Sequence, residues 1–408
     1  MVQQPAPRTD PILSAAGMLR RIGFFILMIG VPTLAFVSRR ALVALTPIAI
    51  ALIIIAALID GANKPLRESR RVLLSATPAI ATLVLLGWIA LSLIWTPFFD
   101  PAASRVVSIL ATTALGIAAY FAIPARMRSA NLYLVPIGVA AAALLAGGIY
   151  LAQMLGVEAA ARLVAGETYL RGLVVLVMAV WPAVAWLSSR GRDAQALALA
   201  VVVGAASALS PDKAALFGFL AGATICVLAS AWPAKVAAAV ATGMAVAILA
   251  APALPFLATP LGAGAPGSLL ESLAIWRATI LADPWAALTG HGIEAVLRSR
   301  LAGALSWNAP SSILFEIWYE LGVIGAAAAA TALAGAVRAS ARRHAALVPG
   351  EMAGFTSAFV MAALGVATTQ MWWVTTLVVV ALIFIAGARG QFRTKRPRIM
   401  LPGLARRE

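Results

Sequence analysis

Long apolar runs separated by short polar segments make up most of the chain. Twelve of these runs approach or reach the roughly 20 residues with which a helix crosses a bilayer. They lack the alternation of apolar and polar residues that a membrane barrel strand has, so the pattern predicts helices. The runs lie near residues 22–38, 41–59, 72–95, 106–124, 132–153, 173–189, 196–209, 215–231, 236–254, 312–336, 352–369 and 371–388. We therefore predict an all-α polytopic membrane protein, a single membrane domain over residues 1–408 with about 12 transmembrane helices.

The composition excludes a soluble globular protein. Hydrophobic residues make up 62% of the chain, charged residues make up only 11%, and the mean hydropathy is +0.96. So little polar material does not cover the surface of a water-soluble fold of this size. Membrane lipids are therefore the expected solvent and a partner of the chain.

Basic residues are concentrated in alternate segments between the apolar runs. If the N-terminus is cytoplasmic, most of the 31 Lys and Arg residues lie on the inner side, as is usual for short loops. They include the loop from Lys64 to Arg71 and the tail from Arg389 onward. We expect a multi-pass membrane protein with both termini cytoplasmic, in the inner membrane if the cell is a Gram-negative bacterium. Anionic lipid accounts for the net charge of +16, so no nucleic-acid partner is predicted.

The sequence offers little support for metal or disulfide chemistry. The single cysteine, Cys226, falls inside an apolar run, and His291 and His344 are the two histidines of the chain. This inventory provides neither a disulfide framework nor the ligand spacing of a metal site. We predict no metal and no cofactor.

Residues 255–311 form one long polar insert between the ninth and tenth runs, which the orientation places as a periplasmic loop. Ser268 and Glu271 have the spacing of a helix capping box. An apolar stripe of Leu269, Leu273, Trp276 and Ile280 follows and ends at Asp283 and Pro284. The insert is therefore predicted to carry a short amphipathic helix on or beside the membrane.

Several polar residues in and after the insert are candidates for chemistry. His291 has glycine on both sides, which predicts a mobile, solvent-accessible turn, and either a structural or a catalytic role stays open. Glu316 and Glu320 are four residues apart, so they share a helix face and should point inward, toward a polar cavity or an arginine. Arg105, at the start of the fourth run, reads as an ordinary flanking charge.

Three cations are candidates for binding phosphate. Arg171 stands at the mouth of a span, where it either grips phosphate oxygens or pairs with Glu167. Lys213 is either a point charge for a phosphate or the partner of Asp212. Arg277 follows Trp276 and is expected to face a cavity.

The order of five motifs resembles the O-antigen ligase and polymerase superfamily of bacterial polytopic membrane glycosyltransferases. An outer arginine precedes a Trp-Pro span, a polar turn and an Ile-Trp-Arg helix follow, and a Pro-to-Gly turn leads to a Trp-x-Glu-Leu-Gly helix. These motifs are Arg171 with Trp181 and Pro182, Ser210 to Lys213, Ile275 to Arg277, Pro284 to Gly292, and Trp318 to Gly325. The resemblance covers most of the chain and is strongest from Ser268 to Gly325.

This resemblance implies a metal-independent transferase. An undecaprenyl-pyrophosphate-linked glycan would be the donor, and the acceptor would be a hydroxyl on lipid A-core for a ligase or on a growing glycan for a polymerase. The expected pyrophosphate ligands are Arg171, Arg277 and Lys213, and the residues expected to line the cavity are Glu320, Ser311, Ser312 and Tyr319. The presumed base of the family is a histidine that this chain lacks, so His291 or Glu316 is expected to replace it.

The chain also departs from the family pattern. Ser311 and Ser312 stand where the family has a Pro-His-Asn run, and Ser272 stands where it has an arginine. These departures keep open a second function, a degenerate noncatalytic partner of a polysaccharide assembly complex. A transporter is a third alternative, but the sequence shows none of the matched broken helices typical of transport sites.

Overall fold

The computed structural model describes residues 11–61, 77–127, 129–258, 265, 267–342, 344–366 and 370–390. The predicted basic loop from Lys64 to Arg71 and the predicted tail beyond residue 390 lie outside these residues. Within the described part the chain is helical, and the one β-type contact is an isolated bridge between Met127 and Gly390. The prediction of an all-α membrane fold is therefore confirmed.

Sixteen helices carry labels here. In chain order they are α1 (Pro11–Phe25), α2 (Arg39–Ile59), α3 (Thr77–Leu91), α4 (Phe99–Ala122), α5 (Leu134–Met154), α6 (Glu158–Ala165), α7 (Glu167–Ser189), α8 (Asp193–Ala208), α9 (Ala214–Ala231), α10 (Pro233–Ala250), α11 (Leu269–Ala282), α12 (Ala286–Thr289), α13 (Ala295–Leu301), α14 (Ile313–Ser340), α15 (Val348–Ala363) and α16 (Met371–Ala388). Short helical segments extend α1, α3, α5 and α10, namely Ile26–Gly30 and Val31–Leu34, Ser92–Ile94, Ser129–Leu132, and Ala251–Ala253 and Leu254–Leu257.

Ten helices among the described residues are long and apolar enough to cross a membrane. This makes the chain a multi-pass membrane protein, but it does not confirm the predicted number of twelve. The two remaining runs, 196–209 and 352–369, correspond to α8 and α15, which have 16 residues each. Helix α15 also carries Glu351 in its first turn. Both helices are therefore shorter than the run of about 20 residues that spans a bilayer alone.

Helix α7 is the centre of the bundle. In the most apolar stretch of this helix, 89% of the residues are buried. The run from Leu173 to Val180 is apolar on every side and packs against neighbouring helices all round. Trp181 joins α7 to two other helices, since its indole Nε1 donates to Ser357 Oγ of α15 over 2.8 Å. The Ser357 hydroxyl in turn donates to the Gly218 carbonyl of α9 over 2.7 Å.

The bundle has two chemically different ends. At the basic end, the Met127 N–H donates to the Arg389 carbonyl over 2.7 Å, and Arg190 Nη2 donates to Ser129 Oγ over 3.0 Å. The insert occupies the opposite end, where α14 begins, and we call this the insert end. The loop after α15 lies there as well, because Gly365 packs against the backbone of Ser311.

Helix α14 is broken at Gly322. This residue has φ 63° and ψ −162°, so the backbone leaves the helical path between the first turns of α14 and the rest of the helix. A break removes the intrahelical donors of the preceding carbonyls, and a carbonyl at membrane depth needs a partner. One of them, the Leu321 carbonyl, accepts a 2.9 Å hydrogen bond from the Trp88 indole of α3.

Two more of the carbonyls before the break are bound by residues 289–293, which we call the histidine turn. The His291 N–H donates to the Tyr319 carbonyl over 2.8 Å, and the Gly292 N–H donates to the Glu320 carbonyl over 2.9 Å. Gly290 has φ 74°, and an added Cβ would overlap the Glu320 carbonyl. The glycines that predicted a mobile turn permit its close contact with α14.

The break at Gly322 predicts that a side chain at this position lowers the stability of the protein. Substitution Gly322→Ala forces a side chain into the left-handed region and into the Leu288 carbonyl. We expect it to cost at least about 2 kcal/mol of stability. The measurement is the melting temperature of the detergent-solubilised protein. The control is Gly243→Ala in α10, where the space around an added Cβ is open, and equal melting temperatures for both variants would contradict the prediction.

Candidate functional site

A cavity of about 50 Å³ lies at the insert end, between α11, α12 and α14. Its walls combine aromatic and aliphatic side chains with the polar groups of Thr279, Asp283 and His291, and we call it the insert cavity. It is lined by Pro252, Trp276, Thr279, Ile280, Asp283, Ala286, Ala287, His291, Trp318 and Tyr319. A hydroxyl group and its neighbouring atoms fit such a volume, while a larger ligand would extend out of it.

Helix α11 forms one wall and begins as predicted. Ser268 Oγ accepts from the Glu271 N–H over 3.2 Å, and the Glu271 carboxylate reaches back to the Gly267 N–H. Trp276 is buried and meets Phe315 of α14 edge to face, with ring centroids 5.4 Å apart. At the first position of the predicted apolar stripe, Leu269 is 73% exposed and does not pack on the rest of the chain.

Helix α11 ends at Asp283, also as predicted. The Asp283 carboxylate accepts from the Ala286 N–H over 3.2 Å, so it caps the start of α12. Oδ1 makes this hydrogen bond, and Oδ2 lies on the side of His291, where Asp283 lines the insert cavity.

His291 is held at the cavity by Tyr319. Their rings stack with centroids 4.2 Å apart and an interplanar angle of 15°. His291 Nδ1 lies 3.0 Å from the Tyr319 carbonyl oxygen, and since a carbonyl only accepts, this contact favours the tautomer with the proton on Nδ1. The other nitrogen, Nε2, then carries a lone pair and lies 3.9 Å from Asp283 Oδ2. The side chain is 29% exposed, as access for a reactant requires.

A buried ion pair lies behind the histidine turn. Arg105 Nε of α4 is 3.7 Å from Glu294 Oε1, and Arg298 Nε is 3.7 Å from Glu294 Oε2. Burial raises the pKa of Glu294, and the two arginines oppose that rise. The interpretation of Arg105 as an ordinary flanking charge was wrong, because its side chain is only 11% exposed. The available signal was a charge at the edge of an apolar run, which is costly within the membrane unless it is paired.

Glu316 and Glu320 both point inward, which confirms that part of the prediction. Glu320 Oε1 accepts from the Val296 N–H over 3.2 Å, so it binds the start of α13. Glu316 faces the charge of Arg300, whose pKa is lowered by burial while Glu316 opposes the decrease. Arg300 Nη2 also donates to the Ala309 and Pro310 carbonyls over 2.9 Å each, which orders the chain before α14.

The other residues expected to line a cavity lie around the start of α14. The Tyr319 hydroxyl is 3.4 Å from Ser299 Oγ, while its ring faces the insert cavity. Ser312 Oγ accepts from the Leu314 N–H over 3.2 Å and caps α14. Ser311 is exposed and lies against Gly365.

The three candidate phosphate ligands are held on different elements. Arg171 is 3% exposed, with Nη2 3.4 Å from Glu167 Oε2 and its guanidinium 5.2 Å from the Trp372 ring centroid. The guanidinium of Arg277 lies 5.8 Å from the Phe256 ring centroid.

Lys213 has partners of its own. Its Nζ donates to the Ala208 and Ser210 carbonyls over 2.9 and 2.8 Å, which caps the C-terminus of α8. The Asp212 carboxylate instead accepts from the Ala214 N–H. The Lys213 ammonium group therefore binds backbone carbonyl oxygens of its own turn.

Within the described ranges, no three His, Cys, Asp or Glu side chains come close enough to hold a metal ion.

Comparison of the chain with protein-family models, with curated proteins and with solved structures returned no match. A function therefore has to be argued from the chemistry of the insert cavity and its surroundings.

Proposed function

We propose that this protein transfers a glycan from an undecaprenyl-pyrophosphate-linked donor to an acceptor hydroxyl at the insert end, as an O-antigen ligase does. The observation that carries the proposal is His291, with its Nε2 free of the Tyr319 contact and directed at Asp283 in an aromatic cavity. The order of motifs along the chain supports the same reaction class.

In the proposed reaction, His291 Nε2 accepts the proton of the acceptor hydroxyl. The hydroxyl oxygen forms a bond to the anomeric carbon of the donor sugar, and the bond from that carbon to the pyrophosphate oxygen breaks. The products are the glycosylated acceptor and undecaprenyl pyrophosphate. Asp283 stabilises the imidazolium that forms, and the Tyr319 carbonyl keeps Nδ1 protonated and the ring oriented.

The leaving pyrophosphate needs a cation placed before the reaction begins. Arg277 of α11 is the first candidate, because it lies between Trp276 and Ile280, two residues of the cavity wall. Arg171 is the second candidate, at the insert end of α7. The half-buried Trp318 in the cavity wall supplies an apolar surface for a sugar ring.

A second candidate function is a noncatalytic partner in polysaccharide assembly. It is favoured by Ser311, an exposed serine where the related family carries histidine. The broken helix at Gly322 favours the transporter alternative, but the Tyr319, Glu320 and Leu321 carbonyls beside the break each already accept a hydrogen bond from a protein donor.

We also propose that the insert end faces the periplasm and that both termini are cytoplasmic. Cysteine substitutions in a Cys226→Ser background test this orientation. Ala304→Cys in the insert should react with a membrane-impermeant maleimide added to intact spheroplasts. Its matched control, Ala194→Cys at the start of α8, should react only after lysis. The reverse pattern would contradict the orientation.

The transfer is tested by the surface glycan of a deletion strain complemented with variants. We expect His291→Ala to lower transfer about a hundredfold or more, because the reaction loses its general base. The readout is the lipopolysaccharide ladder on a gel, with membrane levels of each variant measured in parallel. The control is His344→Ala, an exposed histidine at the basic end, which should complement fully.

The same gel separates the alternatives. Loss of the ladder with bare core indicates a ligase, and core bearing a single repeat indicates a polymerase. Full complementation by His291→Ala would eliminate the proposed base. An unchanged ladder in the deletion strain would move the search to exopolysaccharide or to the noncatalytic function.

A further inference from the structure

Glu294 has an unfavourable backbone conformation that its side chain explains. With φ 67°, it is the one non-glycine residue of positive φ in the described part of the chain. Glycine would adopt this conformation without steric cost. A glutamate here indicates that its carboxylate contributes something that glycine does not provide.

That carboxylate connects the histidine turn to α4. One oxygen lies 3.7 Å from Arg105 Nε and the other 3.7 Å from Arg298 Nε, and the Arg105 and Glu294 side chains are only 11% and 10% exposed. A buried pair is screened much less than an exposed one, so losing one partner leaves an uncompensated buried charge.

The pair completes the support of the turn. His291 and Gly292 are bound to α14 through their backbone N–H groups. The next residue, Ile293, donates from its N–H to Ser92 Oγ over 3.2 Å, and its carbonyl accepts from Thr96 Oγ1. Glu294 then adds the attachment to α4, so three membrane helices fix the backbone within three residues of His291.

We propose that Arg105 and Glu294 are positioning residues that keep the His291 imidazole, and with it Nε2, in the insert cavity. Neither side chain lines that cavity, so the pair acts through the backbone of the histidine turn. The catalytic consequence rests on the proposed transfer reaction, whereas the placement of His291 is measurable without it.

The placement is measured by chemical modification. In a His344→Gln background His291 is the sole histidine, so its carbethoxylation by diethyl pyrocarbonate is followed directly. We expect Arg105→Gln and Glu294→Gly to raise the modification rate severalfold, because the ring loses its fixed stack on Tyr319. Arg105→Lys keeps the charge and should stay near the unsubstituted rate.

Catalysis is measured on the same variants in transfer assays. Arg105→Gln and Glu294→Gly should lower kcat about a hundredfold with KM close to wild type, since a misplacement near 1 Å has that effect. The matched control is Arg162→Gln, which breaks a glutamate pair whose side chains are 78% and 86% exposed. That variant should leave kcat and the modification rate unchanged.

The double variant Arg105→Gln, Glu294→Gly separates positioning from stability. It leaves neither of these two charges unpaired and relaxes the Glu294 backbone, so its melting temperature should recover toward wild type. Fast modification of His291 and low kcat should persist in it. The proposal is overturned if the double variant recovers both, or if the single variants leave His291 modification unchanged. If the wild type shows no transfer, the proposed function fails while the modification rates still decide the placement.

Discussion

A helix that breaks inside a membrane leaves carbonyl groups without donors, and lipid supplies none. This constraint organises the insert end of the protein. Because α14 breaks at Gly322, the Tyr319, Glu320 and Leu321 carbonyls need partners from elsewhere in the chain. The histidine turn and Trp88 of α3 provide them. The long polar insert is thereby attached to the bundle by backbone hydrogen bonds in addition to apolar packing.

The same contacts set the chemistry of His291. The carbonyl that accepts its backbone N–H also lies beside its Nδ1, so the helix break selects the tautomer as well as the position of the turn. On the other side of the histidine turn, the Glu294 carboxylate forms ion pairs with Arg105 and Arg298. Glu320 binds the start of α13 with its carboxylate, while its carbonyl binds the turn. Position, protonation and charge at this site therefore depend on one irregular stretch of α14.

Features encoded locally could be predicted from the sequence. Apolar run length and the lack of alternation predicted membrane helices, the Ser268 and Glu271 pair predicted the start of α11, and spacing predicted that Glu316 and Glu320 share an inward face. Features set by distant partners could not be predicted in this way. Gly322 occurs in a run that reads as continuous helix, and the pairing of Arg105 with Glu294 joins residues that no local pattern connects. The role of the glycines beside His291 could not be predicted for the same reason, because the group they approach, the Glu320 carbonyl, belongs to another helix.

The bonds among Trp181, Ser357 and Gly218 have a consequence for how the chain enters the membrane. Helix α15 is too short to span a bilayer comfortably alone, and its first turn carries a buried glutamate. Its polar serine finds donor and acceptor on α7 and α9, both synthesised earlier. The hydrogen bonds of Ser357 can therefore form only once α7 and α9 are in place. Because both are synthesised before α15, the polar group of this short helix has its partners available as soon as the helix is made.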